Sequence, residues 1–166
     1  MSKQNPYSID KLANIKPWIK VYFIKFWIFG AAFLLAMMSL PQTFDFLDRL
    51  VILILLITLA SEYISNIAIR FMHRDEAPTL KYLTHPFNSK QWYSIFVTLL
   101  YSIVLTLLTH FSIDLYVKIG GLTIGDLISE STADPITFAL IFILFDVMYI
   151  YSIQWIIKLK RGKNDV

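Results

Sequence analysis

The chain has 166 residues, 57% of them hydrophobic and only 16% charged, and it contains no cysteine. Soluble globular domains carry about 25% charged residues, so an ordinary water-soluble fold is excluded; without cysteine, so are a disulfide framework, a thiolate metal site and a thiol nucleophile. The formal net charge of +3 says less than its placement, because the basic residues cluster in three places.

Residues 1–20 are polar and basic, with Lys3, Lys11, Lys16 and Lys20. Ile9, Leu12, Ala13 and Ile15 make a short, imperfect apolar stripe at helical spacing. The segment reads as a solvated basic leader, with a membrane-surface helix as the alternative. Pro17 suits the first turn of a helix, and Trp18 and Tyr22 suit a headgroup layer.

A first apolar span covers residues 21–40 and stops at Pro41. It is too long for the core of a signal peptide, and no small-x-small cleavage pattern follows, so it reads as an uncleaved anchor. Ala32 and Ala36 have the small-xxx-small spacing that permits close helix approach, although chance explains a lone pair of alanines more readily. Asp45 and Asp48 sit at helix-start spacing, where carboxylates favour the positive end of the helix dipole. The second span, 47–69, carries Glu62 and Asn66.

Residues 70–90 form a basic loop with Arg70, Arg74, Lys81 and Lys90. Asn88 and Gln91 have capping-box spacing, and the third span, 91–109, opens with Trp92 and Tyr93. Beyond His110 the sequence alternates. Phe111, Ile113, Leu115, Val117 and Ile119 are apolar; Ser112, Asp114 and Lys118 are polar. Period alone reads as strand. An isolated strand has no partner, however, and Asp114 and Lys118 have helix ion-pair spacing, so an interfacial extension of the third helix is expected. Gly120-Gly121 ends it, residues 123–130 add one more short helix, and Asp134-Pro135 opens the last one. Gly121 and Gly125 have a dimer-motif spacing but lie outside any apolar span.

Residues 136–157 are almost unbroken apolar sequence with one acid, Asp146, near the middle. Twenty-two residues rise about 33 Å, enough for a hydrocarbon core of roughly 30 Å. The basic tail 158–166 closes the chain.

With the N-terminus inside, thirteen of the fifteen Lys and Arg residues fall on the cytoplasmic side, leaving only Arg49 and Lys118 outside. The positive-inside rule therefore predicts an all-α polytopic membrane protein with four transmembrane helices, both termini cytoplasmic, and a short interfacial helical segment in the second outer loop. Trp18, Trp92 and Trp155 fall near one inner boundary as interface anchors. The basic inner segments imply a partner in anionic headgroups, which explains the basic loop better than nucleic acid does.

Two acids lie within spans, Glu62 about 12 Å and Asp146 about 18 Å from the inner boundary. Acids at such depth face the interior and find partners. Thr98 and Tyr149 fall near the level of Glu62; Thr58 and Ser102 fall near that of Asp146. The Lys25 stem is long enough to reach toward Glu62. Stripes of polar residues on the second helix (Thr58, Glu62, Ser65, Asn66), the third (Ser94, Thr98, Ser102, Thr106, Thr109) and the fourth (Asp146, Tyr149, Gln154) are predicted to face one another. Three readings follow, in descending weight. The layer is interhelical glue at about 0.6–2 kcal/mol per bond; or Glu62 or Asp146 takes up a proton or cation; or the two acids perform acid–base chemistry. The last suffers from a depth difference of about 6 Å. His73, His85 and His110 lack metal-ligand spacing, and no phosphate loop or nucleophile elbow is present, so neither metal nor cofactor is expected.

Lys25-Phe26-Trp27-Ile28-Phe29-Gly30-Ala31-Ala32 resembles a stretch of small four-span membrane proteins of Gram-positive bacteria. Asn66 through Arg70-Phe71, and Asp134-Pro135-Ile136 leading to Phe145-Asp146, are similar to the same pattern. That resemblance implies the four-span architecture and roles for Asn66 and Asp146, but no activity. The expected function is thus a non-enzymatic accessory or oligomer-forming subunit of a bacterial cytoplasmic membrane, partnered by a second copy or another membrane protein. The rival is a proton- or cation-coupled transporter or channel subunit.

Overall fold

The computed structural model describes residues 15–41, 43–65, 67–68, 93–119 and 130–162. These form four helices and no strand. Helix α1 is Pro17–Met37. Helix α2 is Phe46–Leu59, continued without a break by a π-helical turn, Ala60–Ser65. Helix α3 is Ser94–Lys118 and α4 is Glu130–Gly162. Three stretches are long and apolar enough to cross a membrane: Trp18–Met37, Ser94–Lys118 and Asp134–Ile156. The second helix has 14 α-helical residues and reaches 20 only with the 6 of its π turn.

Local chemistry sets most of the boundaries. Pro17 occupies the start of α1, where its missing N–H leaves no hydrogen bond unmade. At the other end the Met38 and Ser39 N–H groups close onto the Leu34 carbonyl at 2.9 and 3.3 Å. The guanidinium of Arg49 then reaches back from α2 and donates to the carbonyls of Pro41 (3.1 Å), Phe44 (3.3 Å) and Met37. Together with the Phe44 N–H, which bonds the Pro41 carbonyl at 3.1 Å, this one side chain ties the turn between α1 and α2.

The third helix runs straight through the alternating segment to Lys118, with Lys118 Nζ 2.6 Å from Asp114 Oδ2 on the exposed surface. Helix pairing thus prevails over the two-residue period. The fourth helix starts at Glu130, earlier than the expected Asp134-Pro135 opening, and holds Pro135 inside its second turn. Beyond the first turn a proline both removes the hydrogen bond to the carbonyl four residues earlier and crowds that carbonyl with its ring, so the turn before Pro135 is the weak point of α4. The capping box at Asn88 and Gln91, and nearly all of the short helix expected over 123–130, fall outside the described residues.

The helices close a ring in which α1 packs on α4 and α2, α2 on α3, and α3 on α4, while the π turn touches both α1 and α3. Phe29 on α1 meets Phe142 on α4 with ring centroids 4.5 Å apart, and Phe33 stacks on Phe138 at 4.7 Å. Gly30 lets these helices approach: a Cβ there would stand 3.5 Å from the Pro135 carbonyl oxygen and 3.6 Å from Ala139 Cβ. Ala32 and Ala36, whose spacing chance would have explained, are both in the buried core with Leu53, Ile57 and Leu105. The surface is the reverse of a soluble protein's. Phe23, Trp27, Leu47, Tyr151 and Trp155 are each more than 60% exposed, while Lys25 and Asp146 are fully buried. Such a continuous outward apolar surface needs an apolar medium.

Candidate functional site

The centre of the ring is a charge pair. Lys25 follows Val21 and precedes Phe29 by four residues, and all three are fully buried on one face of α1. Asp146 stands four residues after Phe142 and four before Ile150 on the buried face of α4. The two rows meet, and Lys25 Nζ donates to Asp146 Oδ2 at 2.6 Å with neither side chain exposed. The other carboxylate oxygen, Oδ1, accepts the Tyr101 hydroxyl of α3 at 2.7 Å. Asp146 therefore ties α4 to α1 and α3 at once. The Tyr22 ring lies 5.6 Å from Lys25 Nζ, within cation–π range, and the Tyr149 ring leans on that of Tyr101 at 5.0 Å.

Burying either charge alone is costly. Their mutual attraction offsets that desolvation only when the geometry is good and the remaining valences are met. Here each carboxylate oxygen takes one bond, a short ionic one from Lys25 and one from the Tyr101 phenol, and the Tyr22 ring faces the ammonium.

The second acid has a different environment. Glu62 lies in the π turn, whose wider winding re-aims the residues after Leu59; π turns recur at functional sites. Its Oε1 accepts the Ser94 hydroxyl at 2.8 Å and its Oε2 the Thr98 hydroxyl at 2.6 Å, both from the first two turns of α3. Ser94 is the first residue of α3, so Glu62 also sits near the positive end of that helix dipole.

The sequence-predicted cluster is thus brought together only in part. Thr98 joins Glu62 as expected. Lys25 does not reach Glu62; it is taken by Asp146, because its row on α1 faces α4. Thr58 and Ser102 were expected at the level of Asp146, but their hydroxyls bond within their own helices, to the carbonyls of Ile54 at 2.7 Å and Thr98 at 2.8 Å. Hydroxyls in apolar helices commonly bond back in this way. Tyr149 contributes its ring contact. Trp18 and Trp155 are outward and exposed, whereas Asn66, Trp92, His73 and His85 lie outside the described residues. Tyr101 was missed. It follows Thr98 by three residues on a chain with nine tyrosines, and nothing but its adjacency to the hydroxyl stripe distinguished it.

No protein-family model, no curated protein and no solved structure matches this chain. The functional reading therefore rests on geometry. Among the described residues, no three histidine or carboxylate side chains converge as a metal site would require. Four buried hydroxyls, those of Ser61, Ser65, Thr106 and Thr109, have no hydrogen-bond partner. Buried polar groups without partners are rare in proteins and cost stability.

Proposed function

We propose that the chain is a four-span protein of a bacterial cytoplasmic membrane, with both termini inside, acting as a non-enzymatic accessory or oligomer-forming subunit. The observation that carries this reading is the saturation of Asp146. Its two oxygens are engaged by side chains of two other helices and its charge is balanced by a fully buried lysine. A carboxylate so occupied serves as a joint between helices. The Ser94 and Thr98 hydroxyls bond Glu62, while an ammonium and a phenol bond Asp146, which speaks against a shared-proton pair of catalytic carboxylates. Three helices of spanning length and the outward apolar surface support the membrane setting, and the distribution of Lys and Arg supports the orientation. Four helices of this size leave wide apolar faces for a second copy or a larger membrane partner.

The competing reading is a proton- or cation-coupled transporter or channel subunit working through Glu62 and Asp146. It is favoured by the four buried hydroxyls without partners, those of Ser61, Ser65, Thr106 and Thr109. Reconstitution into liposomes separates the two. The subunit reading expects no pH-driven ion flux and a single stable homo- or hetero-oligomer on purification. Flux that Asp146→Asn abolishes would reject it. Tags at both ends should be protected from exterior labelling in intact cells, and labelling of either end from outside would overturn the assigned orientation.

A further inference from the structure

Helices α1 and α4 run antiparallel in a fixed register. Phe33 stacks on Phe138, Phe29 meets Phe142 and Lys25 binds Asp146, each step moving four residues down one helix and four up the other. Val21 and Ile150, the next step, are both buried. Continued to the end of α1, the register brings Lys20 level with Tyr151 and Lys16 level with Trp155, and Lys158 lies about 4.5 Å beyond. Lys16 and Lys158 are exposed and Lys20 is half-buried, while Lys160 and Arg161 belong to the last turn of α4. Residues 16–37 and 147–162 contain no Asp or Glu, so neither helix supplies an acid at this end. The exposed Trp18 and Trp155 suit the same headgroup level.

Further along the pair, a cavity of about 350 Å³ lies between the helices, lined by Trp27, Gly30, Ala31 and Leu34 of α1 and Pro135 and Ile136 of α4, with almost wholly apolar walls. Trp27, Ala31 and Leu34 are exposed, so the cavity opens outward, onto the surface that needs an apolar medium. At 3.6 residues per turn, Lys16, Lys20, Trp27, Ala31 and Leu34 fall within about 60° of one another around α1. Gly30 stands about 15 Å along the helix from Lys20, half of a hydrocarbon core of roughly 30 Å. One outward face thus carries cations at the membrane surface and an apolar hollow where a lipid chain anchored there would end.

We propose that the outward groove between α1 and α4 binds one anionic phospholipid, with its headgroup at Lys16, Lys20 and Lys158 and the end of one acyl chain in the cavity beside Gly30 and Ala31. Charge selects this occupant. A phosphodiester is a good partner for lysine ammonium groups, and lysine stems let the ammonium rise to headgroup level while their methylenes stay in apolar surroundings. A second copy inserted in the same orientation would press its own lysines against these, and an apolar helix would leave them unmatched. A zwitterionic lipid brings a positive charge together with its phosphate. Such a site presupposes the membrane setting proposed for the chain, though neither its orientation nor its subunit role.

Native mass spectrometry of the full-length protein, ejected from nanodiscs of phosphatidylglycerol and phosphatidylcholine in equal parts, counts the lipids that stay bound. The expected result is one retained lipid per chain, with phosphatidylglycerol strongly preferred. Lys16→Gln/Lys20→Gln/Lys158→Gln should lower that preference on the order of 10- to 100-fold, whereas Lys118→Gln, at the opposite end of the bundle, should leave it unchanged. Ala31→Phe fills the cavity from its open side and should shed the lipid without touching the lysines. Equal retention of the two lipids by the parent protein overturns the proposal. So does a preference that survives the triple variant, or retention undiminished in Ala31→Phe. If the triple variant is not recovered in nanodiscs, Ala31→Phe decides, because its position is exposed and outside the core. Failure of the parent chain itself to enter nanodiscs is a different result, and overturns the membrane setting along with the site.

Discussion

Replacing Lys25 with methionine tests the central joint most sharply. Methionine is close to lysine in length and suits an apolar helix, so the change removes the charge with little loss of volume. What remains is Asp146, fully buried and retaining only the Tyr101 hydroxyl. Breaking a buried ion pair from one side costs about 3–5 kcal/mol, mainly because the remaining charge has no counter-ion. That is roughly a 10²- to 5 × 10³-fold fall in the folding equilibrium constant, measurable by reversible unfolding in mixed micelles followed by far-ultraviolet circular dichroism. The double variant Lys25→Met/Asp146→Leu should recover most of the loss, because replacing both members by apolar residues is often neutral or stabilising. It leaves the Tyr101 hydroxyl without its acceptor, at about 1–3 kcal/mol, and adding Tyr101→Phe should remove that remainder. The reasoning fails if the single variant loses less than about 1 kcal/mol, a surface ion pair's worth, or if the double variant is less stable than the single one.

Three further expectations follow from the packing and can be checked by the same unfolding measurement. Tyr101→Phe alone removes a hydrogen bond to a charged acceptor and should cost about 1.5–3 kcal/mol, with unchanged helix content. At Gly30, alanine should be nearly neutral, because its Cβ would meet neighbours at ordinary contact distances of 3.5 and 3.6 Å; leucine has no room against α4 and should cost about 1–3 kcal/mol by overpacking. Arg49→Ala removes one donor from each of three carbonyls of the α1–α2 turn, of which Pro41 keeps the Phe44 N–H, and should cost about 1–2 kcal/mol, whereas Arg49→Lys recovers only part of this because an ammonium cannot span the same fork of acceptors.

The helices were legible because lipid leaves so simple a signature. Long apolar runs mark spans whatever their packing, and the described residues of the segments 21–40, 91–109 and 136–157 are helical except Met38, Ser39, Leu40 and Tyr93 at their ends. Depth along a helix was legible too, since rise per residue is fixed, and it paired Thr98 with Glu62. Rotation about each helix axis was not. A helix that is apolar all round has no amphipathic face to set its azimuth, so the sequence could not show that the row Val21, Lys25, Phe29 faces α4 rather than the π turn. That one unknown angle sent Lys25 to the wrong acid. The π turn was invisible for a related reason. It inserts a residue into the winding without a proline or glycine to announce it, and it changes which side of α2 Glu62 occupies. Back-bonding by Thr58 and Ser102 removed two further expected partners, since a hydroxyl in a helix always has its own carbonyl four residues earlier to choose.

Lipid supplies no hydrophobic drive for one apolar helix to prefer another, so the order of helices around the ring must come from contacts that only the right neighbours can make. Each side of the ring has one. Lys25–Asp146 joins α1 to α4, Tyr101–Asp146 joins α3 to α4, Glu62 with Ser94 and Thr98 joins α2 to α3, and Arg49 joins α2 to the end of α1. If these act as four separate joints, damage to one should loosen one side and leave the others intact. Glu62→Leu is the informative case, because it removes the bonds to Ser94 and Thr98 that join α2 to α3. Hydrogen exchange should then accelerate in the π turn and the first two turns of α3. Exchange around Phe29, Phe142 and Asp146, held by the separate α1–α4 and α3–α4 joints, should stay at the parent rate. Uniform acceleration over all four helices would mean that the polar contacts form one cooperative network, and the assignment of one joint to each side of the ring would be wrong.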